Sequence, residues 1–401
     1  MDIQRGQEDW RPDTLAVRSG LARSGFEETA EALYLTSGFV YDSAEAAEAA
    51  FSGESDRFVY SRYGNPTTAM LQERLAALEG AEACTATASG MSAVFTALAA
   101  LLGAGDRVVA SRGLFGSCFV ILDEILPRWG VETVFVDGPD LRQWRKALAE
   151  PTTAVFFESP SNPMQELVDM RAVCDLAHGA GAQVVVDNVF GTPVFSKPLA
   201  HGADIVVYSA TKHIDGQGRV LGGAILGPKE FIDGPVQNLV RHTGPTLSAF
   251  NAWVLLKRLE TMRLRVEALA AAALRLAEQL AAHPRVRTVL YPFLPSHPQH
   301  ELAKRQMGGG GTVVTFEIDG GKAEAFALMN ALEIVDISNN LGDSKSMATH
   351  PATTTHRRMG EEARAAIGIT DGTVRLSVGL EDAGDLAADL ERALTVAFGP
   401  N

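Results

Sequence analysis

The first sustained helical period in this chain begins after Thr67, where AMLQERLAALEG sets leucines at three- and four-residue spacing before Gly80. That period predicts a helix with a glycine C-cap. Upstream, residues 1–65 are rich in Gly, Ser and charge, with short apolar pieces such as LYLTSGFVY, and predict an extended arm that something else must bury. Downstream, GDRVVAS, VETVFVD, TAVFFESPSNP, AQVVVDN and ADIVVYSATKH are short β-branched runs separated by helical patterns such as DMRAVCDLAHGAG. The alternation predicts an α/β unit, a mainly parallel central sheet buried on both faces by flanking helices. A long helical stretch from about Ser248 through His283 follows. Beyond it, GTVVTFEID, GKAEAFALMNAL, EIVDIS, VRLSVGLE and DLAADLERALTVAF predict a smaller α+β domain. The expected division is therefore an arm, 1–65, a large domain, 66–265, and a C-terminal small domain, 266–401.

Composition narrows the function more than the fold. With 46% apolar and 21% charged residues, the chain has the balance of a soluble globular protein. A net charge of −14 argues against a nucleic-acid or anionic-membrane surface, since phosphate needs a basic footprint. Cys84, Cys118 and Cys174 show no CxxC or Cys/His spacing, so neither a disulfide framework nor a zinc site is expected, and a reducing cytoplasm fits. The opening MDIQRGQEDWRPDTL is too charged for a signal peptide, and the apolar stretch from Met91 to Ala104 is shorter than the roughly 18 residues of a membrane span. His350 and His356 bracket HPATTTH without acidic partners, which predicts a structured loop and no metal centre.

Ligands in open α/β sheets bind at the carboxyl ends of the strands, so the polar strand ends around Asp187, Asn188, Ser209 and Lys212 are the place to look for chemistry. Lys212 directly follows an apolar strand, which delivers its amine to the sheet edge; a partly desolvated lysine is nucleophilic and suits Schiff-base chemistry. By itself it also reads as a lysine beginning a loop. Asp187 ends AQVVVDN, where a buried carboxylate needs a cation or several donors, and a pyridinium nitrogen would serve. Capping a turn or binding a metal are its other readings. Ser89-Gly90-Met91 opens a helix whose N-terminus, with the hydroxyls of Ser209 and Thr211, makes a phosphate cradle. A plain helix start is the alternative. Arg62, among tyrosines in YSRYGNPTTAM, has the chemistry to clamp a phosphate or to form a surface ion pair. Arg375, within TVRLSVGLE, either captures a carboxylate or lies on an exposed strand face. No GxGxxG or GxxxxGK[ST] occurs, which leaves a nucleotide site without support.

Taken together, YSRYGNPT, ASGMSA, ESPSNP, VVVDN, YSATKH, HPATTTH and RLSVGLED, collinear from about Thr14 to the C-terminus, resemble the Cys/Met-metabolism family of fold-type I pyridoxal-phosphate enzymes. The resemblance implies that Lys212 carries pyridoxal 5'-phosphate, that Asp187 pairs with the pyridinium, and that Gly90, Met91, Ser209 and Thr211 hold the phosphate. It places Asn162 against the ring hydroxyl and Arg375 on the substrate carboxylate. It also implies that Tyr60 and Arg62 reach the cofactor phosphate of a neighbouring subunit, in a homotetramer of two active dimers. Phe115 stands where most relatives have a tyrosine stacked on the ring, which keeps the stack and removes a proton donor; Lys212, Tyr60 or water remain as acids. Asn340 replaces a serine that relatives use near the substrate carboxylate.

Within the family, RGLFGSC, SATKHIDGQGRVLGGAILG, RHTGPTLSAFNAWVLLK and DISNNLGDSKS are similar to the succinyl-type sulfhydrylases. That likeness implies γ-replacement in methionine biosynthesis: O-succinylhomoserine and sulfide give homocysteine and succinate. Cystathionine γ-synthase, O-acetylhomoserine sulfhydrylase and methionine γ-lyase share the cofactor residues, and Arg112, Lys345 and Arg357 are the cations available for a distal succinyl carboxylate. A non-catalytic or nucleotide-binding α/β protein is the reading from another class; it predicts loss of Lys212 or Asp187, or a glycine-rich phosphate loop, and the chain has none of these.

Overall fold

The computed structural model describes residues 10–399; residues 1–9, on which most of the argument against an export signal falls, lie outside them. The strands are β1 (Ala83–Thr87), β2 (Arg107–Ser111), β3 (Glu132–Val136), β4 (Ala154–Glu158), β5 (Gln183–Asp187), β6 (Ile205–Ser209), β7 (Gly223–Gly227), β8 (Val286–Leu290), β9 (Val313–Ile318), β10 (Asp336–Ile337), β11 (Met347–Thr349) and β12 (Thr373–Ser377). They form a seven-stranded sheet in the order β1-β7-β6-β5-β4-β2-β3 and a five-stranded sheet in the order β10-β11-β12-β9-β8. The larger sheet is mixed, because β1 and β7 pair antiparallel. Among the described residues no helix is long and apolar enough to cross a membrane.

Contacts divide the chain into two compact units. One runs to Leu101 and adds Val207–Asp215 and Arg219–Thr261; the other holds Leu102–Val206, Gly216–Gly218 and the chain from Met262 on.

In the first unit the helix Pro66–Glu79 has the expected ends: the Asn65 side chain caps its start, Pro66 occupies the first turn, and Gly80 at φ 82° closes it. Met70, Leu71, Leu75 and Leu78 bury one face. The arm ahead of it contains the helices Pro12–Arg18 and Ala44–Ser52 and is tied down at a polar knot. The buried Arg74 donates to the Ser19 carbonyl at 2.8 Å and to Glu31 at 2.5 Å, and Lys257 reaches Glu31 at 2.8 Å. Elsewhere the arm is open: Phe26 is 95% exposed and Val40 87% exposed. The helical stretch expected from about Ser248 is two helices, Ala249–Leu259 and Met262–Ala282, separated by Glu260 and Thr261 with no glycine or proline to announce the break.

In the second unit β3, β2, β4 and β5 are parallel neighbours. Val109, Val155, Phe157, Val184 and Val186 join Trp144 and Cys174 in one buried cluster. Each large apolar side chain there contributes about 2–3 kcal/mol by leaving water. β12 pairs antiparallel with β9 and β11. The helices Met262–Ala282, Lys322–Ala331 and Ala383–Phe398 contribute Leu276, Leu328 and Leu390 to a cluster with Phe316 and Leu376 from these strands. EIVDIS yields only the two-residue β10.

Candidate active site

The first unit places Gly90, Ser209, Thr211 and Lys212 on neighbouring turns. Ser89 precedes the helix Gly90–Leu101 and caps it, its Oγ accepting the Ser92 N–H at 3.1 Å. A Cβ on Gly90 would lie 2.5 Å from the Ser209 Cβ and 2.7 Å from its Oγ, so only glycine lets this N-terminus approach that hydroxyl. Met91 is the second residue of the helix. With the Ser92 N–H taken by the cap and the Ala93 N–H by the Ser89 carbonyl, the amides of Gly90 and Met91 and the positive end of the helix dipole lie beside a serine at the end of β6.

Beyond β6 the chain turns: Lys212 N–H donates to the Ser209 carbonyl at 3.2 Å, and Asp215 N–H to the Ala210 carbonyl at 2.9 Å. Thr211 Oγ1 accepts the Gly222 N–H at 3.1 Å, which pins the turn from the side. Lys212 and Thr211 are both half-buried. Tyr60 and Arg62 sit together on the arm, with the Arg62 guanidinium 5.5 Å from the Tyr60 ring centre and 4.8 Å from that of Tyr63. Arg62 also donates to the Arg241 carbonyl.

The second unit gathers a different set. Asp187 closes β5, and burial raises its carboxyl to about 7 while the Val189 N–H, 3.0 Å from Oδ1, pulls the other way. Its neighbour is Glu158, which closes β4, and Cys118 lies within 4.8 Å of both. Glu158 Oε1 accepts the Phe115 N–H at 2.6 Å, and Oε2 accepts the Asn162 N–H at 3.4 Å. These amides use lone pairs that a metal ion would need, so the trio is better described as a carboxyl pair beside a thiol than as a metal centre.

Arg375 is fully buried on β12, contrary to the exposed-face reading of its strand. It donates to Asn162 Oδ1 at 3.0 Å and to the carbonyls of Asn339 and Asn340 at 2.8 and 3.2 Å, while its Nε has no hydrogen-bond partner. Asn340 thus contributes its backbone carbonyl to Arg375. Burial pulls the guanidinium down to about 10.

Sequence reasoning did not single out Glu158, Cys118 or His356 for this neighbourhood. The buried His356 donates through Nε2 to the Asn162 carbonyl at 3.1 Å. Burial, and then the charge of Arg375, lower it to about 4. A basic group lowered on folding costs nothing above its unfolded value, near 6.5, and costs progressively more as pH falls towards 4. At pH 4.5 the loss is roughly 2–3 kcal/mol. In urea titrations at pH 7.5 and 4.5, His356→Gln, which keeps a donor for Asn162 and cannot charge, should flatten the acid loss by about that amount; an unchanged acid slope would disprove it.

The comparisons with known proteins agree with this geometry. The family model for Cys/Met metabolism PLP-dependent enzymes matches residues 13–395. O-succinylhomoserine sulfhydrylase of Mycobacterium tuberculosis (strain ATCC 25618 / H37Rv) is 67% identical over 386 residues, covering 95% of each chain. O-succinylhomoserine sulfhydrylase of Pseudomonas aeruginosa is 49% identical over 383 residues, 95% of this chain and 94% of that one. Among solved structures, cystathionine gamma synthase from Xanthomonas oryzae pv. oryzae superposes with a TM-score of 0.92 at 35% identity, covering 97% of this chain and 98% of that one.

The residues present fit pyridoxal phosphate. The Gly90–Ser209 approach leaves N–H donors for a phosphate, and the carboxyl pair at Asp187 lacks the cation that a pyridinium provides. With family model, relatives and solved fold in accord, the chain belongs to the Cys/Met metabolism family of pyridoxal-phosphate-dependent enzymes, of fold type I.

Proposed function

We propose that this enzyme catalyses γ-replacement, converting O-succinylhomoserine and sulfide to homocysteine and succinate in methionine biosynthesis. The observation that carries the amino-acid substrate is Arg375, a buried cation held by Asn162, Asn339 and Asn340 with its Nε left over for a carboxylate. The succinyl ester and the sulfide follow the O-succinylhomoserine sulfhydrylases to which the chain is 67% and 49% identical.

In this reading Lys212 would tether the cofactor, Asp187 would pair with its ring nitrogen, Gly90, Met91, Ser209 and Thr211 would hold its phosphate, Asn162 would meet the ring hydroxyl and Phe115 would lie against the ring. When bound, pyridoxal phosphate supplies an electron sink for negative charge at the substrate Cα. Lys212 Nζ takes the proton from Cα and carries protons at Cβ, while Arg375 fixes the α-carboxylate so that the Cα–H bond keeps its orientation. The Cγ–O bond breaks with succinate leaving, and sulfide then forms the Cγ–S bond.

Phe115 supports an ester over a thioether. A carboxylate, with a conjugate acid near 4, departs without help at neutral pH, whereas a thiolate near 8.5 or above benefits from a proton that a phenylalanine cannot give. Of the cations available for the distal carboxylate, Arg112 is engaged with Asp137 at 2.9 Å and Lys345 with Asp343 at 3.1 Å. Arg357 lines a cavity of about 540 Å³ with Lys322, Phe326 and Arg364. Tyr60 and Arg62 complete a neighbouring subunit's site, in a cytoplasmic tetramer of two active dimers; the open apolar surface of the arm at Phe26, Leu35 and Val40 supports that assignment.

Feeding the purified enzyme O-succinylhomoserine or O-acetylhomoserine with sulfide or cysteine tests the reading. The succinyl ester with sulfide should give at least about tenfold higher kcat/KM than any other pair. Equal or faster cystathionine formation from cysteine would make it a cystathionine synthase instead.

A further inference from the structure

Glu158 and Asp187 end adjacent parallel strands and face one another directly in the β4/β5 ladder. In-register residues of a parallel pair project to the same face, so this pairing forces two carboxyls together. Their oxygens and Cys118 Sγ all lie within 4.8 Å of one another. Two carboxylates that close, away from water, cannot both ionise without a cation between them.

The surroundings decide which one keeps the charge. Glu158 is 5% exposed, whereas Asp187 is only half-buried. Burial and the adjacent Asp187 charge push the Glu158 carboxyl well above its ordinary range. The groups around the pair are the Phe115, Asn162 and Val189 amides and the Cys118 thiol, itself raised by burial and by both carboxyls. The charged Arg375 and the neutral His356 engage Asn162, through its side-chain oxygen and its carbonyl.

Through these bonds Glu158 touches or adjoins every second-unit residue assigned to the cofactor ring: the backbone of Phe115, the backbone of Asn162 and the carboxylate of Asp187. We propose that Glu158 is a positioning residue that acts as a neutral carboxyl, holding Phe115 and Asn162 by their amides and leaving the negative charge to Asp187. The inference rests on the reading that Asp187 faces the cofactor ring.

Pyridoxal phosphate titrated into the cofactor-stripped full-length protein, with affinity read from fluorescence quenching and the visible band recorded at saturation, tests both statements. Glu158→Gln keeps a neutral group of the same shape and one accepting oxygen, enough for the short 2.6 Å bond from the Phe115 N–H, and gives up only the long 3.4 Å bond from the Asn162 N–H that its NH2 cannot accept, so its affinity should stay within about fivefold of the parent and its band should not move. Glu158→Ala should weaken binding by about 10–100-fold, the usual cost of deleting an outer partner that orients a ligand-binding group. A shifted band or an alanine-like loss in Glu158→Gln would mean that Glu158 works as an anion, and wild-type affinity in Glu158→Ala would mean that it is idle; either overturns the proposal. Asp187→Asn separates the two levels, because wild-type affinity there would remove the reading of Asp187 and not that of Glu158 alone. If circular dichroism finds Glu158→Ala unfolded, the band and affinity of Glu158→Gln decide.

Discussion

Lys212→Ala protein is expected to fold normally, bind pyridoxal phosphate only without a covalent link, and lose turnover by at least about 10³-fold. The fold should survive because three bonds that hold the turn use no lysine side-chain atom: Lys212 N–H to Ser209, Asp215 N–H to Ala210 and Gly222 N–H to Thr211 Oγ1, all of which alanine keeps. Arg219 also grips the buried Asp215 at 2.7 Å, closing the far side of the turn. Turnover should fail because one amine performs two tasks in the proposed reaction, tethering the cofactor and carrying protons at the substrate carbons. Removing it leaves neither a tether nor a base at that place. Borohydride reduction followed by mass spectrometry should add the cofactor to the parent chain and not to the variant. A variant that still traps the cofactor, or turns over within tenfold of the parent, would refute the assignment of Lys212.

What the sequence discloses about this site depends on how local each signal is. The β-branched runs that became β2, β4, β5 and β6 are legible because a strand buried on both faces needs no alternation and ends where polarity returns, and the half-exposed edge strand β3 is legible from its β-branched and aromatic residues alone. β1 and β7, no shorter than the other strands of the sheet, escape notice because ACTAT has no large apolar residue and GAILG carries a glycine at each end. Their pairing requires Gly223, where a Cβ would collide with the Ser89 carbonyl, a contact between segments far apart in the chain. Lys212 and Asp187 stand at strand ends and are visible there. Glu158 stands at a strand end too, inside ESPSNP, yet its significance lies in the register that sets it beside Asp187. No local pattern encodes a register between strands 25 or more residues apart along the chain, roughly the length of one βαβ crossover. Arg375 is the converse case: its strand is legible, but its burial comes from the partners on either side, Thr315 and Thr349.

Arg375→Leu should lower kcat/KM for the amino-acid substrate by about 10²–10³-fold, since a lost partner to a buried charged group costs about 2–5 kcal/mol and each 1.4 kcal/mol is tenfold. The more informative result concerns stability. A guanidinium pulled down to about 10 by burial is a group the substrate-free fold holds at a cost of roughly 3 kcal/mol. Deleting it relieves that cost and strands the Asn162 side-chain oxygen and the carbonyls of Asn339 and Asn340, at about 1 kcal/mol or more each. The terms nearly cancel, so the thermal midpoints of the substrate-free proteins should lie within a few degrees. The difference should appear when an amino acid with no leaving group is added. In the parent its carboxylate meets the unpartnered Nε, offsets the cost of the buried charge and raises the midpoint; in Arg375→Leu it finds no cation and the midpoint stays where it was. Arg375→Lys should recover only part of the shift, because an ammonium cannot hold Asn162 and the two carbonyls while also facing the carboxylate as a planar fork does. An equal ligand-induced shift in parent and leucine variant would show that the substrate carboxylate is held elsewhere.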